Sequence, residues 1–512
     1  MRFKVNFLFL LIFISSIASC TKKKDLHRQD SKALNIGLRI SPKTLNPLKA
    51  IDQQSSRSLR LIGQSLVKLK FNSKIVPDLV QSYKIISATQ IQFQLSENSV
   101  FHNGKPITAM GIKKCLLAHQ KNNFSLKKQL SLIKKITIKD VLSFDIHLKE
   151  KFTPFLANIL SRVIIFDSDF TPKNQDGFSI FNLSGPFQFS KAINNKISFN
   201  KFEPYRTFDP DFMQEKIDYS SINLISIKDH NTRLLHLTQN NVDAVINSFS
   251  VHQYKSIKSN NNLTVTSFPG SSISYLIFNH KGIFKNPKLR LALSLSLDKS
   301  KILKTKLKNI AVSSQQVLPL KSVFHSKSKS FENFSYQPQK AVELIKNLKP
   351  EEKKFSITSS NHKEFNSILK AMISQWKKAG FNVTLKPFEW ATFYKRINQS
   401  QFDLFNLQWT NVKNPYLLYK AFHSSQTPPN FNRGYFSNQQ LDTVLVKLIQ
   451  SSQSNAVQSL VDKAQKIIHD QTAFIPLWSY NTLITHSKIL SIHPKHQASS
   501  WVPLIYSKKS TL

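Results

Sequence analysis

Between Ser271 and Leu303 the sequence SSISYLIFNHKGIFKNPKLRLALSLSLDKSKIL leaves the backbone few choices. Ile273 to Asn279 is a short run of apolar, aromatic and β-branched residues, which predicts a buried strand. His280 to Asn286 is a turn. Asn286 offers an N-cap oxygen, and Pro287 stands at the first helical position, where its missing N–H is no loss. Leu289, Ala292, Leu293 and Leu297 recur at helical spacing, and Asp298 caps a second helix carrying Ile302. A strand feeding a capped helix is the building unit of an α/β protein.

The same rhythm continues downstream. Gln339 to Leu348 is helical, and Phe355 to Ile357 is a short strand. Phe365, Ile368, Leu369, Met372 and Trp376 line one face of a helix that Gly380 terminates. Phe381 to Leu385 alternates as a strand, Trp390 to Ile397 is helical and Phe402 to Trp409 is strand-like. This β-α-β-α-β order predicts a sheet with parallel strands. Val457, Leu460, Val461, Ala464, Ile467 and Ile468 mark a late amphipathic helix, followed by a strand over Ala473 to Leu477. Upstream, strands are expected over 34–38, 91–95, 136–148 (two), 222–227 and 242–246. A hairpin is expected over 187–199, and helices at 57–67, after Thr108 and after Asp229.

Residues 1–20 are read apart from the fold. Arg2 and Lys4 precede an apolar stretch from Val5 to Ile17, and Ile17-Ala18-Ser19-Cys20 ends it with small residues before a cysteine. The pattern resembles a bacterial lipobox, which implies lipidation of Cys20 and a tether to the bilayer outside the inner membrane. Residues 21–34 are expected to be a flexible tether. The second of two cysteines, Cys115, falls in a helix and is read as a small buried hydrophobe, so the fold rests on its core rather than on a disulfide.

Charge narrows the partners. The formal net charge is +43, with only 29 Asp and Glu. Such a surface attracts anionic ligands, head groups or nucleic acid, or is simply a solvated basic face. The lysines are scattered and no nucleic-acid module is present, so nucleic acid is not expected as a partner. Phosphate-loop, zinc-protease, C-x-x-C and nucleophile-elbow motifs are absent from the sequence. His102 has no second ligand at i+2 to i+4 and is read as structural. A binding protein, not an enzyme, without cofactor or metal, is the expectation.

Tyr275, Phe278, Asn279, Phe284, Asn286, Arg290, Ala292, Leu293, Ser294 and Asp298 stand where the extracellular solute-binding proteins of family 5 carry "Y-x-x-F-N … F-x-N-x-x-x-R-x-A-L-S-x-x-x-D". The segments Ser41-Pro42-Lys43-Thr44-Leu45-Asn46-Pro47, Val76-Pro77-Asp78-Leu79 and Phe101-His102-Asn103-Gly104-Lys105-Pro106 resemble further family motifs, in the family's order. So do the hairpin after Ser184-Gly185-Pro186 and the residues around Asp243. The chain thus resembles the oligopeptide- and dipeptide-binding lipoproteins of ABC transporters over nearly all of 35–485. The resemblance implies a periplasmic-binding-protein-like α/β fold (type II, cluster C): two lobes with mixed sheets joined by a hinge, plus an extra subdomain. The expected division is 35–60, 180–268 and 483–512 for the first lobe, 61–179 for the subdomain and 269–482 for the second lobe.

It also implies a monomer on the periplasmic side of the cell membrane that delivers an oligopeptide or related small solute to an inner-membrane ABC permease. Ser41, Lys43, Tyr275, Asn279, Trp409, Thr410 and Asn411 are the candidate ligand contacts. Trp409 either lines the cleft or belongs to the core, and Tyr275 and Asn279 are as readily structural. One departure stands out. Where the peptide binders read "W-x-x-D", with the Asp pairing the ligand's α-ammonium, this chain reads Trp409-Thr410-Asn411-Val412-Lys413. An N-blocked or anionic muropeptide, a metal chelate, or a basic envelope lipoprotein without a transport role are the alternatives.

Overall fold

The computed structural model describes residues 32–70, 72–247, 249–308, 310–326, 334–451, 454–492 and 501–510. Cys20 and the expected signal peptide lie outside them. So does most of the expected tether, but its end is not a tether: Ala33 and Leu34 are buried and open the first strand.

Eleven strands form one mixed sheet: β1 (Ala33–Leu38), β2 (Phe187–Ile193), β3 (Lys196–Lys201), β4 (Ser221–Ser226), β5 (Ala244–Ile246), β6 (Leu263–Phe278), β7 (Ala311–Ser313), β8 (Lys354–Ser360), β9 (Asn382–Phe388), β10 (Leu404–Trp409) and β11 (Phe474–Ser487). Their order is β2-β3-β4-β1-β5-β11-β6-β10-β8-β9, with β7 on β11. β8 lies between β9 and β10 and is parallel to both, as the β-α-β-α-β order requires.

β6 and β11 hold the two lobes together. Each is far longer than the strand read from the sequence, at 16 and 14 residues. The Leu263 end of β6 and the Ser487 end of β11 pair beside β5 in the first lobe. Their other ends pair beside β10 in the second. The ladder between them breaks between Phe268 and Ser272. At this break Gly270 passes so close to the facing strand that a Cβ on it would stand 1.6 Å from the Tyr480 carbonyl oxygen, so only glycine fits. The lobe boundaries expected at 268/269 and 482/483 lie inside these two strands.

The 271–303 segment folds from its own caps. Asn286 Oδ1 accepts from the Lys288 N–H, and Pro287–Leu295 is a helix. Asp298 caps Lys299–Thr305. The first helix packs against helix Pro338–Lys346 and buries Leu289, Ala292 and Leu293 in the second lobe's core, where Trp376 of helix Lys363–Lys378 is fully buried and donates its indole N–H to the Leu293 carbonyl at 2.9 Å. Truncating a tryptophan of this kind to alanine costs about 3–5 kcal/mol. Not every reading transfers. The helix expected over 57–67 runs Gln53–Ile62, because Asp52 caps it by accepting from the Gln54 and Ser55 N–H groups. Val67 instead opens a hairpin with Ile75–Pro77.

The subdomain is a four-stranded antiparallel sheet (Ser82–Ser87, Gln90–Gln94, Ser143–Leu148, Ile133–Ile138) backed by helix Ala109–Asn122. Its apolar core, including fully buried Cys115, is continuous with that of the first lobe. His102 Nε2 lies 3.1 Å from the Gly185 carbonyl, and burial lowers its pKa to about 4, so it is a neutral structural histidine.

Candidate functional site

A cleft of about 1610 Å³ opens between the lobes, lined by both lobes, by the subdomain and by the β6–β11 crossing itself. Its floor is aromatic. The Tyr275 and Trp409 rings lie 3.9 Å apart at 30°, and Trp409 also packs against Phe422 and Phe474. Tyr275 is 2% and Trp409 6% exposed, yet both line the cleft, so each is core on one side and site on the other. Burial raises the Tyr275 phenol well above its usual pKa, which keeps it neutral. The Trp409 indole N–H has no hydrogen-bond partner among the described residues.

Past Trp409 the chain turns through Asn411, which sits in the left-handed region at φ 57°, a conformation asparagine tolerates better than most residues. Thr410 and Asn411 are exposed and line the cleft. The Val412 N–H donates to the Ser271 carbonyl at 2.7 Å, which ties this loop to the hinge. The Val412 side chain belongs to the second lobe's apolar cluster. Lys413 follows, half-buried, with Nζ 3.3 Å from the Leu69 carbonyl across the cleft.

The other candidates are placed elsewhere. Ser41 and Lys43 are not among the cleft-lining residues; Ser41 Oγ shares a 2.5 Å hydrogen bond with Ser226 Oγ, and the Lys43 N–H donates to Ser55 Oγ. Lys43 is exposed. Asn279 is also outside the lining, and its Nδ2 donates to the carbonyls of Ser400 and Phe402, which fixes the end of β6. The structure thus brings together Tyr275, Trp409, Thr410 and Asn411, and not Ser41, Lys43 or Asn279.

Sequence reasoning missed the cations. Arg57 and Arg60 project from helix Gln53–Ile62, Lys68 and Lys70 from the hairpin after it, Arg162 from the subdomain, and Lys420 and Arg433 from the second lobe. They come from separate segments, and in so lysine-rich a chain no local signal distinguishes them. Lys413 alone drew notice, for its place beside Val412. Among the described residues no three His, Cys, Asp or Glu side chains stand together as a metal centre requires.

Residues 74–429 match the bacterial extracellular solute-binding proteins, family 5 (Middle). The chain is 23% identical over 475 residues to the probable D,D-dipeptide-binding periplasmic protein of Escherichia coli (strain K12), across 89% of this chain and 90% of that one. Among solved structures, the ABC transporter substrate-binding protein CtaP of Listeria monocytogenes has a TM-score of 0.81 at 18% identity, across 94% of this chain and all (100%) of that one. The unliganded open form of a periplasmic murein tripeptide-binding protein has a TM-score of 0.77 at 18% identity, across 94% and 98%. The fold is that of these periplasmic binding proteins.

Proposed function

Because the chain belongs to the family-5 bacterial extracellular solute-binding proteins, we propose that it is the lipid-anchored receptor of an ABC importer and takes a peptide-class solute into the cleft between its lobes. The observation that carries this reading is the cleft itself: about 1610 Å³, lined from both lobes, with the lobes joined by two strands whose ladder is broken at Gly270. Two lobes whose chain crosses in two strands can move about that crossing and enclose a small molecule, remaking the bonds that also join them at Ser73–Ser322 and Thr153–Ile449. The volume exceeds that of a typical drug-sized pocket, as a short peptide needs. The relatives support the class, since one bears a dipeptide-binding and another a tripeptide-binding name.

Tyr275 and Trp409 then give the bound solute an apolar floor, and Thr410 and Asn411 polar atoms at the rim. Cys20 carries the lipid. Cys115 does not compete, since burial pushes its thiol up to about 12 and closes it to reagents. On this reading a Cys20→Ser chain leaves the membrane fraction.

The test starts from the mature chain, made soluble by beginning after Cys20. It is purified without added ligand and denatured, and the released small molecules are read by mass spectrometry. A released peptide-class solute, added back at about 100 Kd, stabilises the protein by about 2.7 kcal/mol. The reading fails if nothing is released and no peptide pool or envelope extract raises the Tm.

A further inference from the structure

The cleft is not electrically balanced. Eleven lysines and arginines line it against five aspartates and glutamates. Four of the five acids are already engaged. Asp52 caps its helix, Asp78 holds Lys68 at 2.9 Å, and Asp209 and Asp211 hold Lys70 at 2.5 and 2.7 Å. Glu364, the fifth, is exposed near Ser367, whose hydroxyl accepts from Lys306.

Arg60, Arg162, Lys413, Lys420 and Arg433 have no carboxylate within ion-pair distance among the described residues. The contacts that four of them make are to neutral groups. Arg60 donates to the Ser161 carbonyl at 2.9 Å and Lys413 to that of Leu69. Lys420 Nζ lies 3.9 Å from the centre of the Phe431 ring, and Arg433 donates to Tyr394 Oη and Asn398 Oδ1. Such groups solvate a cation without cancelling its field.

The five repel one another in a chain that crosses the cleft. Burial, then Arg60 and Lys70, bring the Lys413 ammonium down to about 7. Burial, then Arg60, lowers Arg162; burial, then Arg162 and Arg433, bring Lys420 down to about 8. A general excess of lysine does not explain this, because exposed cations in water hardly perturb one another. These do, from both sides of one cavity.

We infer that the solute is an anion carrying at least two carboxylates and no free ammonium, held between Arg60 and Arg162 on one wall and Lys413, Lys420 and Arg433 on the other. This rests on the cleft being the solute site. Closure brings like charges together and removes water from them, so the lobes close stably only when the ligand supplies the counter-charge. The planar guanidinium forks suit carboxylates. A ligand ammonium here would be one more unpaired cation in a closing, low-dielectric space.

The test is calorimetric titration of the soluble mature chain with three probes: an N-acetylated Asp-Glu dipeptide, the tripeptide Ala-Ala-Ala and the tripeptide Lys-Ala-Lys. The acidic probe binds, and its affinity drops about tenfold or more as salt is raised from about 50 mM to about 500 mM. It binds with proton uptake at about pH 8, seen as a dependence of heat on buffer ionisation, because the anion raises the pKa of two lysines that the free cleft leaves partly neutral. The groups facing them set that window: Arg60 and Lys70 (with Asp209 and Asp211) at Lys413, and Arg162 and Arg433 at Lys420. Affinity therefore falls as pH rises above about 7.

Lys413→Met and Lys420→Met each weaken the acidic probe about tenfold, reduce its proton uptake and raise the Tm of the free protein. The inference is overturned if Ala-Ala-Ala or Lys-Ala-Lys binds as tightly as the acidic dipeptide, or if neither variant changes its binding; in both cases the cleft stays a solute site. If no probe binds and no envelope extract raises the Tm, the reading of the cleft as a solute site falls with it.

Discussion

Lys509, half-buried in the first lobe, and Lys299, buried in the second, are held in different ways. Lys509 reaches into the first lobe and meets Asp243 at 2.8 Å; that fully buried carboxylate also accepts the Asn35 N–H at 2.7 Å. Lys299 in the second lobe has, among the described residues, the carbonyls of Ser314 and Pro476 as its acceptors, at 3.2 and 3.0 Å, and burial brings its ammonium down to about 8. The pattern extends beyond these two. Lys68, Lys70 and Lys105, in the first lobe and its subdomain, pair with aspartates. Arg290 in the second lobe is bound by carbonyls of Phe284, Lys285, Gln471 and Thr472, and burial brings it to about 10. The first lobe spends its scarce acids on closing its own structure. The second solvates Lys299 and Arg290 with neutral oxygen, as the first does Arg60 at the cleft and the buried Arg233.

Removing the acid from the first arrangement should have the largest effect. Asp243→Ala leaves half-buried Lys509 without its counter-charge and the buried Asn35 N–H without an acceptor, and should cost about 3–5 kcal/mol, read by urea denaturation. A loss under about 1 kcal/mol would mean the two lobes do not differ in this respect. Next is the junction between them. Gly270→Ala sets a methyl against the Tyr480 carbonyl, so the strands must part, at about 1–3 kcal/mol, with solute affinity altered as well because the hinge moves. Unchanged melting and affinity would show that β6 and β11 yield freely there.

Lys299→Met should change stability at pH 7 by less than about 1 kcal/mol, since the relieved desolvation offsets the two lost carbonyl bonds. Its mark is in the pH profile. The folded pKa of Lys299 lies below its ordinary value of 10.5, so between about 8 and 10.5 the unfolded chain holds more protons than the folded one. Its contribution to stability therefore rises with pH through that window, and Lys299→Met should lack that rise. A variant profile parallel to that of the parent chain would remove the contrast with Lys509.

Much of the local structure was legible in the sequence. Asn286, Pro287 and Asp298 state the helix starts that the structure uses, and the spacing of Phe365 to Trp376 states which helix face is buried. Thr108 and Asp229 cap the helices expected after them. The failures have a common cause. The Arg57 helix was displaced because Asp52 capped it earlier. β11 was cut short at Leu477 because Asn481, Thr482 and Thr485 do not read as a strand until β5 and β6 flank them. The candidate site divided along the same line. Trp409 and Tyr275 match the family's motifs as Ser41 and Asn279 do, but they line the cleft, whereas Ser41 and Asn279 make their hydrogen bonds within the fold.

By itself the sequence determined the α/β class, the order of the elements and the caps that begin them, because periodicity and capping act over one or two turns of chain. Only the tertiary structure decided that β6 and β11 run through both lobes, and that Arg60, Arg162, Lys413, Lys420 and Arg433 face one cavity. Charges placed far apart along the chain interact only through distance and burial, and the folded backbone alone sets both.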